Sequence, residues 1–169
     1  MIADPSIVRL ADPHDEDAVV AMCRLHHAEI ALRDGTGAPF PFSDERVRAM
    51  VQRACIRNRN HPDAGQSFCG VIGAHGSLEA AIYLTQEVMW YSDRPILREV
   101  FCIVAPEHRK SMHARSLTAF GKIIAACLEK TLVGEVSGQR IEAKERFYAR
   151  NYGAERVGSF YAFDPMPGA

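Results

Sequence analysis

Arg109, Lys110 and Ser111 stand between two segments of different character. Before them runs Val100–Val104, apolar, rich in β-branched residues and short enough to be a strand. Pro106 has no N–H and should end its ladder. Ser111 is a good N-cap residue, and a helical pattern then sets Leu117, Phe120, Ile124, Cys127 and Leu128 on one face. Strand, short basic turn and capped helix bring unpaired backbone N–H groups and the positive end of a helix dipole to one place. That chemistry suits a phosphate. The same residues also describe an ordinary strand-to-helix connection carrying two surface cations, which is frequent in α/β proteins.

The elements that must carry this turn follow from the flanking patterns. Ile7–Leu10 reads as a short strand. Asp12 caps a helix with Pro13 in its first position and Asp15, Glu16 and Asp17 near its positive end. Val19, Met22, Leu25 and Ile30 form its apolar stripe, reaching about Arg33. Asp34–Phe42 is a loop whose Phe40 and Phe42 either line a substrate pocket or pack on the core. Ser43 caps a second helix, Asp44 to about Arg59, with Val47, Met50, Val51 and Ala54 inward and Arg46, Arg48, Arg53 and Arg57 on a solvated face.

After a loop at Asn58–Gln66, Ser67–Ala74 and Ser77 to about Trp90 read as a hairpin turning at His75-Gly76, with Gly70 and Gly73 marking bends. Ile96–Val104 makes a third antiparallel strand in a row. The helix from Ser111 to about Lys130 leads to a strand at Leu132–Val136, then to a helix from Gln139 to about Asn151 with Gly153 as its C′ residue. Arg156–Phe163 closes the sheet. Helices between strands argue for a mixed α/β sheet in one domain over 1–163, followed by a frayed tail over 164–169.

A chain of 169 residues, 47% hydrophobic and 24% charged, fits one soluble globular domain. No apolar run approaches about 18 residues and no secretory signal opens the sequence, so neither a membrane partner nor export is expected. The five cysteines lack C-x-x-C spacing and read as small buried hydrophobes in a reducing, cytoplasmic compartment. His26 and His27 lack further ligands at suitable spacing, and no metal is expected. The net charge of −1 hides an asymmetry. Residues 1–108 carry 10 Lys/Arg and 15 Asp/Glu, a net of −5, whereas residues 109–156 carry 10 and 5, a net of +5. A basic half suits a polyanionic cofactor and an acidic half a cationic amine; solvated helix faces explain both equally. With no dense basic run and no basic–aromatic interleaving, no nucleic-acid partner is expected.

VAPEHRKSMHARSL (Val104–Leu117) resembles the signature of the GNAT superfamily of acyl-CoA-dependent N-acyltransferases, in which a strand leads through Arg/Gln-x-x-Gly-x-Gly/Ala into a helix. Arg109 takes its first position and Ala114 its last. Met112 stands where the family has its first Gly, whose use is close approach of backbone to pyrophosphate. FYARNYGAERVG (Phe147–Gly158) resembles the family's last helix and closing strand, so the likeness covers roughly the second half of the chain. The resemblance implies a single-domain α/β (α+β) fold with a mixed, mostly antiparallel central sheet flanked by helices. It also implies direct transfer of an acetyl group from acetyl-CoA to a primary amine on a small molecule or peptide. No metal is implied, and a homodimer is common in the family.

By the same resemblance the pyrophosphate meets the backbone N–H groups of Lys110, Ser111, Met112, His113 and Ala114, with charge added by Arg109 and Lys110. His113 either contacts the cofactor or points outward. The pantetheine arm pairs with Cys102, Ile103 and Val104, where a main-chain N–H polarises the thioester carbonyl. Tyr148 is the candidate acid for the leaving thiolate, with Tyr152 as competitor. The family's Tyr commonly lies about four residues before the helix-ending Gly, whereas Tyr148 lies five before Gly153, and packing beside Phe147 is its other reading. Glu99 is the candidate base, with Glu87 on the neighbouring strand; a solvated carboxylate at a strand edge is the other reading of Glu99. Strict alternation sets Glu99, Phe101 and Ile103 on one face and Val100, Cys102 and Val104 on the other.

Two other readings remain open. Met112 and the offset of Tyr148 fit a domain of the same fold that binds CoA or a protein without turnover. An unrelated α/β domain with a nucleotide site is the third, although no G-x-G-x-x-G or Walker A pattern supports it.

Overall fold

Strands that follow one another in the chain lie side by side in the sheet. β1 (Arg9–Leu10), β2 (Ser67–Ala74), β3 (Ser77–Val88), β4 (Pro95–Val104) and β5 (Thr131–Gly134) form one five-stranded sheet in that order. The first three pairings are antiparallel and β4–β5 is parallel, which is the mixed, mostly antiparallel sheet expected. Between β2 and β3 the chain reverses at His75-Gly76, where Gly76 takes φ 74°, a left-handed conformation that costs glycine nothing. A parallel neighbour needs a crossover. α3 (His113–Cys127) is that crossover.

The computed structural model describes residues 4–33, 41–56, 60–134 and 145–149. The chain divides into two compact units, Met1–His27 with Phe42–Glu135 and Ala28–Pro41 with Val136–Ala169. The sheet and α3 lie in the first, with α2 (Asp44–Ala54) and the first part of α1 (Glu16–Arg33). In the second, residues 145–149 are helical. Phe40, Tyr152, Gly153, the closing strand expected at Arg156–Phe163 and the tail lie outside the described residues.

Helix α1 starts through a capping box. The Asp12 carboxylate accepts the His14 N–H at 2.8 Å, and the Asp15 carboxylate accepts the Asp12 N–H at 3.0 Å across a 3-10 turn, Pro13–Asp15. The Ser43 hydroxyl accepts the Arg46 N–H at 3.3 Å and starts α2. On one face of the sheet Val19, Met22 and Cys23 of α1 and Val51 and Ala54 of α2 pack against Cys69, Val71, Ala81, Tyr83 and Ile103, with Phe42 at the margin. On the other, Leu117 and Ala125 of α3 pack against Ile72, Ala80, Ile82, Leu84 and Leu97. α3 approaches closely because β2 has Gly70 beneath it: a Cβ there would stand 2.7 Å from the Phe120 ring.

Several boundaries move, each for a local reason. Only Arg9–Leu10 pairs as β1; Pro5–Ile7 is a 3-10 turn held by the Asp4 carboxylate, which accepts the Ser6 N–H at 2.9 Å. Leu25 is 61% exposed, because Val19, Val20 and Cys23 take the inward stripe at i, i+1 and i+4. Arg48 is not simply solvated: it pairs with Glu16 and Asp17, each at 2.6 Å. Burial pushes the Cys23 thiol up to about 12, so it acts as a small hydrophobe. Among the described residues no helix is long and apolar enough to cross a membrane.

One correction bears on the site. Tyr83 pairs with Phe101 but Leu84 pairs with Glu99, so Val100 is an extra residue in β4. The bulge reverses the alternation. Phe101 and Ile103 belong to the α1/α2 side, whereas Leu97, Cys102 and Val104 belong to the α3 side. Glu99, opposite Leu84 and two residues from Leu97, therefore shares the α3 face and not the face of Phe101.

Candidate functional site

The turn after β4 is built from short hydrogen-bonded steps. Ala105 donates its N–H to the Glu79 carbonyl at 2.9 Å, ending the ladder, and Pro106–His108 forms a 3-10 turn. Ser111 donates its N–H to the His108 carbonyl at 2.9 Å, and its hydroxyl accepts the His113 N–H at 3.1 Å. α3 starts at His113, two residues later than expected, because Ser111 closes a local turn and Met112 occupies the cap position without a side-chain bond. Met112 takes φ −88° and ψ 4°, a conformation open to any residue, so the backbone here does not require the family's glycine. Its side chain is half-buried, with Sδ 3.9 Å from the Arg115 guanidinium.

Among the described residues the N–H groups of Lys110, Met112 and Ala114 donate no hydrogen bond. They lie at the start of a 15-residue helix, beside the exposed side chains of Arg109 and Lys110. Such a set of donors, dipole and cations is what an anion would meet.

Glu79 and His108 complete this corner, and neither is singled out by sequence reasoning. Glu79 Oε2 lies 2.6 Å from His113 Nε2 and 3.5 Å from His108 Nδ1, and the two imidazole rings are 5.7 Å apart. Glu79 reaches the turn because β2 and β3 slip register: Ile72 pairs with Ala80 and Gly73 with Leu78, leaving Glu79 as the extra residue. Gly73 is the sequence signal that could have found it. It sits at φ 108°, where a Cβ would stand 2.6 Å from the Ser77 carbonyl oxygen. His113 points inward to Glu79 and is 14% exposed, so the outward orientation is corrected.

Cys102, Ile103 and Val104 form the last stretch of β4, directly before the turn. β5 pairs with β4 only from Ile96↔Thr131 to Glu99↔Gly134, the end of its described part, while β4 continues to Val104. Glu99 stands where the pairing ends. It is 2% exposed, which overturns the solvated reading: facing Leu84 beneath α3, its carboxylate is shielded from water. Glu87 instead pairs with Arg98 at 3.3 Å. Tyr148 lies in the second unit, half-buried, with its ring 5.5 Å from that of Phe147.

A second polar cluster surrounds Asp15. Its buried carboxylate takes both guanidinium nitrogens of Arg9, at 2.6 and 2.7 Å, and lies 3.1 Å from His75 Nδ1. Burial alone would raise its pKa; the bonds from Arg9, the Asp12 N–H and His75 outweigh this and bring it down to about 2. This pair ties β1 to the start of α1 and is structural.

No protein-family model matches the sequence, and no curated protein matches it significantly. Solved structures do. An acetyltransferase from Trypanosoma brucei is similar at 16% identity and a TM-score of 0.63, over 94% of this chain and 98% of that one. The fold is that of the GNAT acetyltransferases. A ribosomal-protein-alanine N-acetyltransferase from Brucella melitensis matches at 13% identity and a TM-score of 0.62, over 93% of this chain and 96% of its own. An aminoglycoside antibiotic 6′-N-acetyltransferase from Acinetobacter haemolyticus matches at 11% and 0.63, over 94% and 97%. Identities this low establish the GNAT fold alone.

Proposed function

We propose that this chain is an N-acetyltransferase that uses acetyl-CoA and acts on a primary amine. The observation that carries the reading is the turn before α3, where three N–H groups without acceptors among the described residues lie beside Arg109 and Lys110. A diphosphate is the ligand class that such a corner fits. Arg109 to Ala114 would hold it, and Cys102 to Val104 would align the arm that carries the acyl group.

Bound acetyl-CoA supplies an acyl carbon activated as a thioester. On this reading a main-chain N–H of Ile103 or Val104 donates to the carbonyl oxygen and stabilises the negative charge that develops there; one such donor is worth about 10²–10³ in rate. Glu99 takes a proton from the ammonium of the acceptor, leaving a nitrogen lone pair free to attack. Tyr148 Oη gives a proton to the departing sulfur, and the second proton, shed by the attacking nitrogen as the amide forms, restores the phenol. The acidic half of the chain, with a net charge of −5 over residues 1–108, would attract a cationic amine. Small-molecule and peptide amines are both within this class, and a reducing cytoplasmic setting and a homodimer fit it.

The competing reading, a CoA-binding module without turnover, is favoured by Met112, whose side chain occupies space that the family's glycine leaves open. Thermal unfolding with acetyl-CoA, followed by thiol release across a panel of amines, separates the two. Stabilisation with thiol release, both lost in Arg109→Glu, supports catalysis; stabilisation without release supports the binding module. No stabilisation at millimolar acetyl-CoA removes both.

A further inference from the structure

We infer that Glu79, His108 and His113 form a binding site for a divalent transition-metal cation of the zinc class. Two imidazoles and one carboxylate are a donor set that such ions take. The three candidate ligand atoms lie within 4.8 Å of one another. A tetrahedral ion with bonds of about 2.0–2.1 Å holds its ligands about 3.3 Å apart. The observed separations from Glu79 Oε2, 2.6 Å to His113 Nε2 and 3.5 Å to His108 Nδ1, bracket that value. Opening the first by under about 1 Å lets one ion replace the direct hydrogen bond.

The backbone brings these side chains together from three separate elements. Glu79 is the bulge residue of β3, His108 ends the 3-10 turn, and His113 is the first residue of α3. His113 is 14% exposed and held by its surroundings, while Glu79 and His108 are each 37% exposed, leaving a coordination position reachable from solvent. Three protein ligands and one open position describe an exchangeable site, not a closed structural one. The positive end of α3 and the exposed Arg109 and Lys110 oppose a cation, but their through-space effect is weaker than direct coordination by three donors.

The comparable cluster of Asp12, Asp15 and His75 does not meet these conditions. There the Arg9 guanidinium already occupies both oxygens of the buried Asp15, so a metal would have to displace a bidentate cation. The inference stands on the side chains of Glu79, His108 and His113 and is independent of acyl transfer.

The test uses the whole chain, stripped with a chelator and titrated with Co(II), then Zn(II), without acetyl-CoA. The expected result is a tetrahedral Co(II) absorption that saturates at one equivalent and is displaced by zinc. Losing an outer-shell partner commonly weakens metal binding about 10–100-fold, so losing ligands should cost at least that. Glu79→Gln with His108→Ala should therefore abolish the absorption, and His75→Ala should leave it unchanged. Circular dichroism confirms folding; if the double variant does not fold, His108→Gln alone carries the comparison. Absence of a tetrahedral band, its persistence in the folded variant, or its loss in His75→Ala overturns the site.

Discussion

Glu79 holds both ends of the turn that precedes α3: its carbonyl accepts the Ala105 N–H at 2.9 Å, and its carboxylate meets His113 Nε2 at 2.6 Å. One residue of β3 thereby fixes the distance between the end of β4 and the start of the helix. The N–H groups of Lys110, Met112 and Ala114 are presented by a closed loop, in which those of Ser111 and His113 are already spent on local bonds, and such preorganisation favours an anion that must meet several N–H groups at once. Glu79→Ala keeps the main-chain bond and removes the side-chain tie. A lost hydrogen bond of about 0.5–1.5 kcal/mol should lower the melting temperature by about 2–4 °C per kcal/mol for a domain of this size. Calorimetry measures it; an unchanged melting temperature would show that the turn is held elsewhere.

The Asp15–Arg9 pair should make stability depend on acid pH. With the carboxyl held at about 2 against an ordinary value of 3.8, the folded state binds this proton less readily than the unfolded chain. Its contribution, about 2 kcal/mol, is complete above the ordinary value and disappears as pH falls through about 2. Urea unfolding at pH 6 and pH 3 should show part of this loss in the parent protein. Asp15→Asn should be less stable by about 2 kcal/mol or more at pH 6, because it leaves Arg9 without its bidentate partner, and its acid slope should be shallower. Equal slopes in the two proteins would refute the assignment.

Gly70 should not tolerate a side chain. A Cβ would lie 2.7 Å from the Phe120 ring and 3.0 Å from Val8, so α3 must shift or the ring must leave its rotamer. Gly70→Ala should cost about 1–3 kcal/mol, read as a lower denaturation midpoint at unchanged slope. Gly65→Ala at the loop is a poor control because its φ is 72°.

The contrast between these positions shows what a sequence can disclose. The strand-turn-helix around Arg109 was legible because three signals coincide: a β-branched run, a proline that ends it and a periodic helix after it. The register of β3 and β4 was not. Inserting Val100 or Glu79 leaves local propensity unchanged, and only pairing with the neighbouring strand decides which residue bulges. Strict alternation therefore puts Glu99 on the wrong face and does not single out Glu79, because both are ordinary strand residues by pattern. The boundary at Ser111 moved because a serine hydroxyl can serve a two-residue turn as readily as a helix cap.

Tyr148 and Glu99 make separable predictions if the acyl-transfer reading holds. Tyr148→Phe keeps the ring that packs beside Phe147 and removes only the hydroxyl, so folding should be intact while kcat falls by about 10²–10⁴. Glu99→Gln should instead shift the rise of kcat/KM toward higher pH, because the amine must then lose its proton to solvent. The pair is tested by pH–rate profiles of both variants with their melting curves. Unchanged rates in Tyr148→Phe would return that residue to packing, and an unchanged profile in Glu99→Gln would leave Glu99 as a buried structural carboxylate.

Met112→Gly decides whether the residue at the family's glycine position obstructs or supports the cofactor. Its φ of −88° needs no glycine, so the replacement relieves no strain and adds unfolded-state entropy, which should cost about 0.5–1 kcal/mol of stability. It also removes a half-buried side chain from the edge of the proposed diphosphate corner. If Met112 blocks close approach, the variant should bind acetyl-CoA more tightly even as it melts earlier, and titration calorimetry beside thermal unfolding would show the two quantities moving in opposite directions. Weaker binding with earlier melting would mean that Met112 helps hold the turn in shape, and the obstruction account would be wrong.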